Sequence, residues 1–141
     1  MSNSDHPRVG ADFQRQVLKW FQENYEIEFH LETKIEIGDP PKNHKFDIVS
    51  NDHTIAIECK CYTWTITGNV PSAKMGFTNE AAFYLSWLPD TYQKLIVLLK
   101  SNHPKRKESL AEYYYRTNKH LLRDIIVAEF DPKNNLFCII R

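Results

Sequence analysis

Two carboxylates and a lysine stand close together near the middle of the chain, at Asp47, Glu58 and Lys60. Carboxylate oxygens are hard ligands of the kind that Mg²⁺ prefers, and an ammonium group beside them can orient water or stabilise developing negative charge. Hydrolysis of a phosphodiester needs an activated water and neutralised charge on the phosphoryl oxygens. These residues are therefore candidate catalytic residues, with Asp47 and Glu58 as candidate metal ligands.

The segments that carry them, residues 44–50 and 54–61, are predicted to form a β-hairpin around the turn residues Asn51-Asp52. A two-residue turn places Asp47 opposite Ala56. The register of this pairing matters, because a slip by one residue would turn every side chain of one strand to the other face of the sheet.

Alternation in the second strand separates charged side chains from core. Side chains two residues apart share a face, so Glu58 and Lys60 are expected on the face of Asp47, with Asp47 diagonal to Glu58. The opposite, apolar face holds Ile55, Ile57, Cys59 and Cys61. A cluster of surface ion pairs is the alternative, and such pairs are nearly neutral in energy. Helices predicted on both sides of the sheet favour burial, and buried charges need partners or a purpose.

Gln14 is a polar residue on the apolar side of the opening helix, which is predicted from about Gly10 to Tyr25. In helical projection it falls between Val17 and Phe21, so its amide is directed toward the interior that would hold the carboxylates. Two interpretations remain open. Gln14 either orients a ligand or water at the site, or is a core amide with an ordinary hydrogen bond.

Hydrophobic periodicity supplies the other elements. Residues 26–37 alternate as a strand with Phe29, Ile35 and Ile37 on one face. The further predictions are a loop over 38–43, a helix that Ser72 caps and that runs to about Leu88, a strand over 92–100, a helix over 105–122 and strands over 124–130 and 136–140. This order predicts an α/β protein with a mixed central sheet flanked by helices. At 141 residues the chain is expected to be a single domain, with residues 1–9 flexible.

Asp47, followed in the next strand by Glu58-Cys59-Lys60 after an opening helix, resembles the PD-(D/E)xK nuclease superfamily. That group includes restriction endonucleases and archaeal-type Holliday-junction resolvases. The resemblance covers roughly residues 10–100. It implies a restriction endonuclease-like αβββαβ core, extended here by a C-terminal helix and β-hairpin. It also implies an endonuclease that hydrolyses DNA with Mg²⁺, for which Mn²⁺ can substitute.

The resemblance further implies roles for individual residues. Asp47 and Glu58 bind Mg²⁺ together with the backbone carbonyl of Cys59, and Lys60 assists the attacking water. An acidic residue often follows a glycine by four positions in the opening helix; in this chain Gln14 takes that place. Phe46 stands where a proline usually precedes the aspartate. The resemblance also allows a homodimer, because the family often pairs two sites to cut two strands. The alternative function is a catalytically weak or inactive nuclease-fold module that binds nucleic acid or a protein partner.

Charge and composition bound these expectations. The chain has 18 basic and 18 acidic residues, which argues against strong nonspecific binding of nucleic acid. DNA contacts are instead expected from Lys42, Lys45 and Lys74, whose segments should border the proposed catalytic cleft at Asp47 and Glu58. The basic residues 105–107 either form a phosphate-contacting rim or a solvated helix face, and the second is favoured.

Cysteine usage and hydropathy suggest a cytoplasmic protein. An odd number of cysteines (Cys59, Cys61 and Cys138), without a secretory signal, is typical of reduced thiols. No apolar run approaches membrane-spanning length, so no membrane association is expected. No zinc site is expected either, because Cys59 and Cys61 lack a second ligand pair with suitable spacing.

Overall fold

The structure is a computed structural model that describes residues 6–140. In chain order the elements of this part are α1 (His6–Asn24), β1 (Phe29–Ile37), β2 (Lys42–Ser50), β3 (Ile55–Lys60), α2 (Ser72–Ser86), β4 (Gln93–Leu99), α3 (Leu110–Leu122), β5 (Ile126–Asp131) and β6 (Leu136–Ile139). The fold is mixed α/β, as the periodicity predicts. Among the described residues, no helix has the length and apolar character needed to cross a membrane.

The strands form one mixed sheet in the order β1-β2-β3-β4-β5-β6. Strands β3, β4 and β5 run parallel, and the remaining neighbours are antiparallel. Parallel strands need crossover connections, which α2 and α3 provide. Consequently the segments that follow β3 and β4 leave the sheet at the same edge, the edge at which Lys60 ends β3.

Helices cover both faces of this sheet. The apolar stripe of α1 packs on one face through Phe13, Val17 and Phe21, against side chains such as Ile57 and Val97. Helices α2 and α3 cover the other face, where the buried cluster includes Leu85, Leu110, Tyr114, Ile96 and Val127. Burial of one such side chain contributes about 1.5–3 kcal/mol. The covering on both sides is what places part of the charged β3 face in the interior.

The β2–β3 register differs by two residues from the prediction. Val49, not Asp47, lies opposite Ala56, so Asp47 comes to face Glu58 directly rather than diagonally. The connection is longer than a two-residue turn because the side chain of Ser50 organises it. Ser50 Oγ accepts hydrogen bonds from the backbone N–H groups of Thr54 (3.0 Å) and Ile55 (2.9 Å). A shift by an even number preserves which side chains share a face.

The regular alternation predicted along β1 is wrong, because the strand changes face at Glu32. Phe29 packs on the α1 side of the sheet, whereas Ile35 packs on the α2/α3 side. Glu32 has a left-handed φ of 50°, and it is skipped in the β1–β2 ladder together with Asp47, which would lie opposite. A left-handed residue within a strand disrupts the ladder locally and interrupts alternation. The interruption lies directly beside Asp47.

Three element boundaries also correct the sequence predictions. Helix α1 begins at His6, so residues 6–9, predicted to be flexible, are helical; residues 1–5 lie outside the described range. Ser72 is the first residue of α2 and does not cap it, since Pro71 holds the N-cap position. Helix α3 begins at Leu110 rather than at residue 105, because Ser109 and Glu112 form a reciprocal capping box there.

Substitution at Glu32 tests the change of face. We expect Glu32→Gly to be about 1–2 kcal/mol more stable than Glu32→Val, because glycine adopts positive φ without strain and valine does not. Lys34, exposed on the same strand, serves as the matched position, where valine should be the more stable substitution. Urea denaturation measures all four variants. The same order of stability at both positions would contradict the assignment.

Candidate active site

Asp47 and Glu58 face each other where β2 separates from β3. The paired residues of this ladder end at Ile48 and Ile57, one position before them. Beyond that point Asp47 Oδ2 accepts a hydrogen bond from the backbone N–H of Cys59 at 2.8 Å. The Asp47 side chain therefore takes the place of a backbone acceptor of β2 and is held against β3. Its carboxylate is positioned by the strand backbone.

Gln14 joins α1 to this point of the sheet. Its amide Nε2 donates to the backbone carbonyl oxygen of Asp47 at 2.9 Å. The amide is half-buried, and the hydrogen bond spans 33 residues of chain. Gln14 thus holds the backbone of Asp47 in position, and its own donor is satisfied by that contact. The structure brings Gln14 to Asp47 without directing it at the carboxylate itself.

Glu58 is the buried carboxyl group of the site, with 5% of its surface exposed. Burial raises the pKa of Glu58 well above its usual range, and the neighbouring Asp47 carboxylate raises it further. The positive charge of Lys60 acts in the opposite direction on the pKa of Glu58 but does not overcome these effects. Ionisation of Glu58 beside Asp47 is therefore unfavourable unless a proton or another cation neutralises the pair.

His44 is a site residue that the sequence reasoning missed. Its Nε2 lies 3.3 Å from Glu58 Oε1, and its ring stacks on Tyr84 of α2 with centroids 3.8 Å apart. Burial lowers the pKa of His44, while the carboxylates of Asp47 and Glu80 raise it. The only sequence signal was its place on the strand of Asp47. The stacking partner comes from a helix 40 residues further along the chain, which no local pattern reveals.

Lys60 lies beside Tyr62 rather than in an ion pair with the carboxylates. Its Nζ is 5.9 Å from the centre of the Tyr62 ring. Within the described part of the chain, no ion pair of 4.0 Å or less joins Lys60 to Asp47 or Glu58. Lys74 approaches the same ring from α2, with Nζ 5.4 Å from its centre. Two ammonium groups therefore flank Tyr62 next to the carboxylates.

The three lysines predicted to contact DNA are placed differently. Lys74 adjoins the site through Tyr62, and it also lies 5.9 Å from the exposed Phe77 ring. Lys45 was expected beside the cleft, but alternation directs it away from the face on which neighbouring His44 contacts Glu58. It pairs instead with the β1 segment that carries Lys34. Lys42 is exposed at the start of β2, next to the β1–β2 turn and at the far end of the strand from Ser50.

The side chains at this position that could hold a cation are oxygen donors. Asp47 and Glu58 supply carboxylate oxygens, the ligand type that Mg²⁺ takes. Cys59 directs its N–H toward Asp47, and the C=O of a strand residue points to the same side. Among residues 6–140, no group of three or more histidine, cysteine, aspartate and glutamate side chains is arranged to hold a metal ion. A cation here would thus take its further ligands from backbone, water or substrate.

The cysteine side chains belong to the core rather than to this oxygen cluster. The thiols of Cys59 and Cys61 are free and pack against the α1 side of the sheet. Burial raises the pKa of the Cys59 thiol well above its ordinary value. The thiolate, which is the metal-binding form, is therefore disfavoured at Cys59.

Comparisons of this chain with protein-family models, curated proteins and solved structures found no match. The resemblance to PD-(D/E)xK nucleases accordingly depends on the three motif residues and the order of elements. The site is interpreted below from its own geometry.

The raised pKa of Glu58 predicts a pH-dependent stability without divalent cations. An unfolded glutamate has a pKa of about 4.3, so above that pH the folded chain holds a proton that the unfolded chain releases. Stability is therefore lost as the pH rises, and Glu58→Gln should remove this loss. Urea denaturation with EDTA should find Glu58→Gln more stable than the native chain at pH 8, with a smaller difference at pH 5.

Glu108 provides a control of opposite sign. The hydrogen bonds from Arg116 lower the pKa of Glu108, so this carboxylate contributes stability that is lost as the pH falls. Glu108→Gln should consequently reduce stability at pH 8 and have less effect in acid. If Glu58→Gln behaves like Glu108→Gln, the description of Glu58 as a disfavoured buried carboxylate is wrong.

Proposed function

We propose that this protein is a Mg²⁺-dependent endonuclease that hydrolyses phosphodiester bonds of DNA. The observation that carries the proposal is the pairing of Asp47 with the buried Glu58 where β2 and β3 separate, with Lys60 two residues further along β3. Surface ion pairs would not require a buried carboxyl group beside a second carboxylate. A divalent cation would stabilise the ionised form of both carboxyl groups, which the protein alone disfavours at Glu58, and this gives the buried pair a role.

The order of elements supports a restriction endonuclease-like core. From α1 to β4 the chain runs helix, three strands, helix and strand, the order that the motif implies. The second and third strands carry the aspartate and the Glu-x-Lys pair, and the opening helix reaches the aspartate through Gln14. In this proposal α3, β5 and β6 extend the core at its parallel edge.

Each site residue then has a defined task. Asp47 and Glu58, with the Cys59 carbonyl, hold Mg²⁺, whose chemistry is to activate water and neutralise phosphoryl charge. Lys60 orients the attacking water and stabilises the charge that develops as the P–O bond breaks. Gln14 fixes the backbone of Asp47, and His44 fixes the carboxyl of Glu58 through its hydrogen bond. These contacts maintain the geometry on which the rate depends.

Lys60 and Lys74 make a phosphodiester the substrate that suits this site. Neither lysine has an acidic partner within 4.0 Å among the described residues, so both charges remain available for an anion. The chain as a whole carries no net charge, and binding must therefore depend on such local groups. The side chain of Tyr62 between them offers an aromatic face at the same place.

The alternative is a nuclease-fold module that binds nucleic acid or a protein without catalysis. Gln14 favours it, because an amide replaces the acidic side chain expected from the opening helix and leaves the site with two carboxylates. Metal binding separates the alternatives, since a module without catalysis has no use for a cation at Asp47 and Glu58.

Titration with Mg²⁺ should raise the melting temperature of the native chain to a plateau. Saturating ligand at about a hundred times its dissociation constant stabilises by about 2.7 kcal/mol. Asp47→Asn keeps an oxygen that accepts the Cys59 N–H but loses the charge, so its thermal shift should vanish while its fold persists. Asp12→Asn, at an exposed position on α1, is the matched control and should behave as the native chain. No shift in the native chain would favour the binding module.

Supercoiled, linear and branched DNA should be cut with Mg²⁺ or Mn²⁺ and left intact with EDTA. Nicking of the supercoiled form identifies an endonuclease. Lys60→Ala should lower the rate by about a hundredfold or more, the usual contribution of a positioned acid–base group. Lys34→Ala, at an exposed lysine on β1, should cut as the native chain does. Equal cleavage by Lys60→Ala would assign the activity to another site or another protein.

A further inference from the structure

Ile66 is an apolar side chain exposed to solvent at the tip of a tight turn. The turn, residues 65–69, lies in the segment that connects β3 to α2. Ile66 is 97% exposed, more than any other large hydrophobic residue in the described range. Its neighbours in the turn are Thr65, Thr67, Gly68 and Asn69, all small or polar.

The 65–69 turn is held closed by its own hydrogen bonds. Gly68 N–H donates to the Thr65 carbonyl at 2.9 Å, and Thr65 N–H donates to the Asn69 carbonyl at 3.1 Å. The Thr65 hydroxyl oxygen accepts from Asn69 N–H at 2.8 Å. The backbone around Ile66 is therefore ordered before any ligand arrives, and little entropy remains to be lost on binding.

A second segment, residues 103–107, braces the 65–69 turn by hydrogen bonds to its backbone carbonyl groups. His103 Nε2 donates to the Ile66 carbonyl at 2.8 Å, and Arg106 Nε donates to the Gly68 carbonyl at 2.8 Å. The Arg106 guanidinium also lies 4.3 Å from the centre of the Trp64 ring. Gly68 has a left-handed φ of +85°, and a Cβ there would lie 2.8 Å from His103 Nδ1. These contacts leave Ile66 as the projecting side chain.

The 65–69 turn stands at the edge of the sheet that carries Lys60. It follows β3, and the bracing segment follows β4, whose direction is parallel to β3. Both segments therefore leave the sheet at its carboxyl edge, the location at which ligands of α/β sheets bind. Tyr62, between Lys60 and the turn, is flanked by the ammonium groups described above.

Positive charge accompanies Ile66 on this edge. Lys105 and Lys107 are exposed in the bracing segment, on either side of Arg106. The adjacent acidic residue, Glu108, is engaged by Arg116 at 2.7 Å. These three basic residues do not lie on a helix, as the sequence suggested, but next to an exposed apolar tip. Basic side chains around an apolar side chain complement a nucleic acid, which combines outer phosphates with stacked apolar bases.

We propose that Ile66 inserts between neighbouring base pairs of duplex DNA while Lys105 and Lys107 contact the flanking phosphates. The inference takes its ligand from the proposed nuclease function and adds how the duplex is gripped and distorted. Apolar wedges of this kind unstack a base step and bend the duplex. A bend next to Lys60 would bring the backbone toward Asp47 and Glu58.

An anionic membrane is the competing ligand, since it too combines negative charge with an apolar interior. One isoleucine anchors weakly in a bilayer, where stable attachment of peripheral proteins needs more buried apolar area. Proximity to the carboxylate site favours DNA, because that site has no use at a lipid surface in the proposed function.

The test uses a short DNA duplex in which 2-aminopurine, whose fluorescence increases on unstacking, replaces adenine at successive positions. The native chain should raise the fluorescence at one position, with EDTA present to keep the DNA intact. Ile66→Ser should abolish the rise and weaken binding about tenfold, the effect of one buried apolar side chain. Ile66→Phe should retain the rise. Leu136→Ser, at a 58% exposed position on β6, is the matched control and should bind as the native chain does.

Three results would overturn the inference: no fluorescence rise with the native chain, an equal rise with Ile66→Ser, or Ile66-dependent binding to phosphatidylserine vesicles in place of the DNA signal. Cleavage by the native chain, assayed in parallel with Mg²⁺, separates this inference from the proposed function. An Ile66-dependent rise without cleavage refutes the nuclease activity and supports the wedge. Cleavage without an Ile66-dependent rise does the reverse.

Discussion

The rest of the site depends on the burial of the Glu58 carboxyl group against the carboxylate of Asp47. Removing charge from water is costly, and a like charge nearby increases the cost. The fold nevertheless holds both groups there through independent contacts: the Cys59 N–H on Asp47, the Gln14 amide on the Asp47 backbone, and the His44 ring on Glu58. Such a position is maintained at the expense of stability, which is typical of a functional site.

Each layer of the fold contributes one of these contacts. Helix α1 supplies Gln14 on one face of the sheet, and α2 supplies Tyr84, on which His44 stacks, on the other. The separation of β2 from β3 then leaves space at Asp47 that a regular ladder would have filled. The irregular residue Glu32, in the neighbouring strand, lies opposite Asp47. A perfectly regular sheet would pair the backbone at this position and leave no room for a ligand.

Charge is distributed unevenly over the surface of this protein. Basic and acidic residues cancel over the whole chain, but the carboxyl edge of β3 and β4 gathers Lys60, Lys74, Lys105 and Lys107 around aromatic and apolar side chains. An anion approaching that edge meets lysines that have no acidic partner within 4.0 Å among the described residues, and the nearby Glu108 is already engaged by Arg116. Net charge therefore says little about what this surface binds, and the distribution of charge says more.

The sequence by itself determined the element types, the two faces of β3 and the convergence of Asp47 with Glu58, because these follow from periodicities that each strand or helix carries alone. Even the two-residue error in register left the grouping of side chains unchanged, since the period of a strand is two. Only the tertiary structure decided the change of face at Glu32, the place of His44 and the bracing of Ile66 by His103. The last two features arise from contacts between residues 37 to 40 positions apart in the chain, and such packing leaves no periodic trace in either segment.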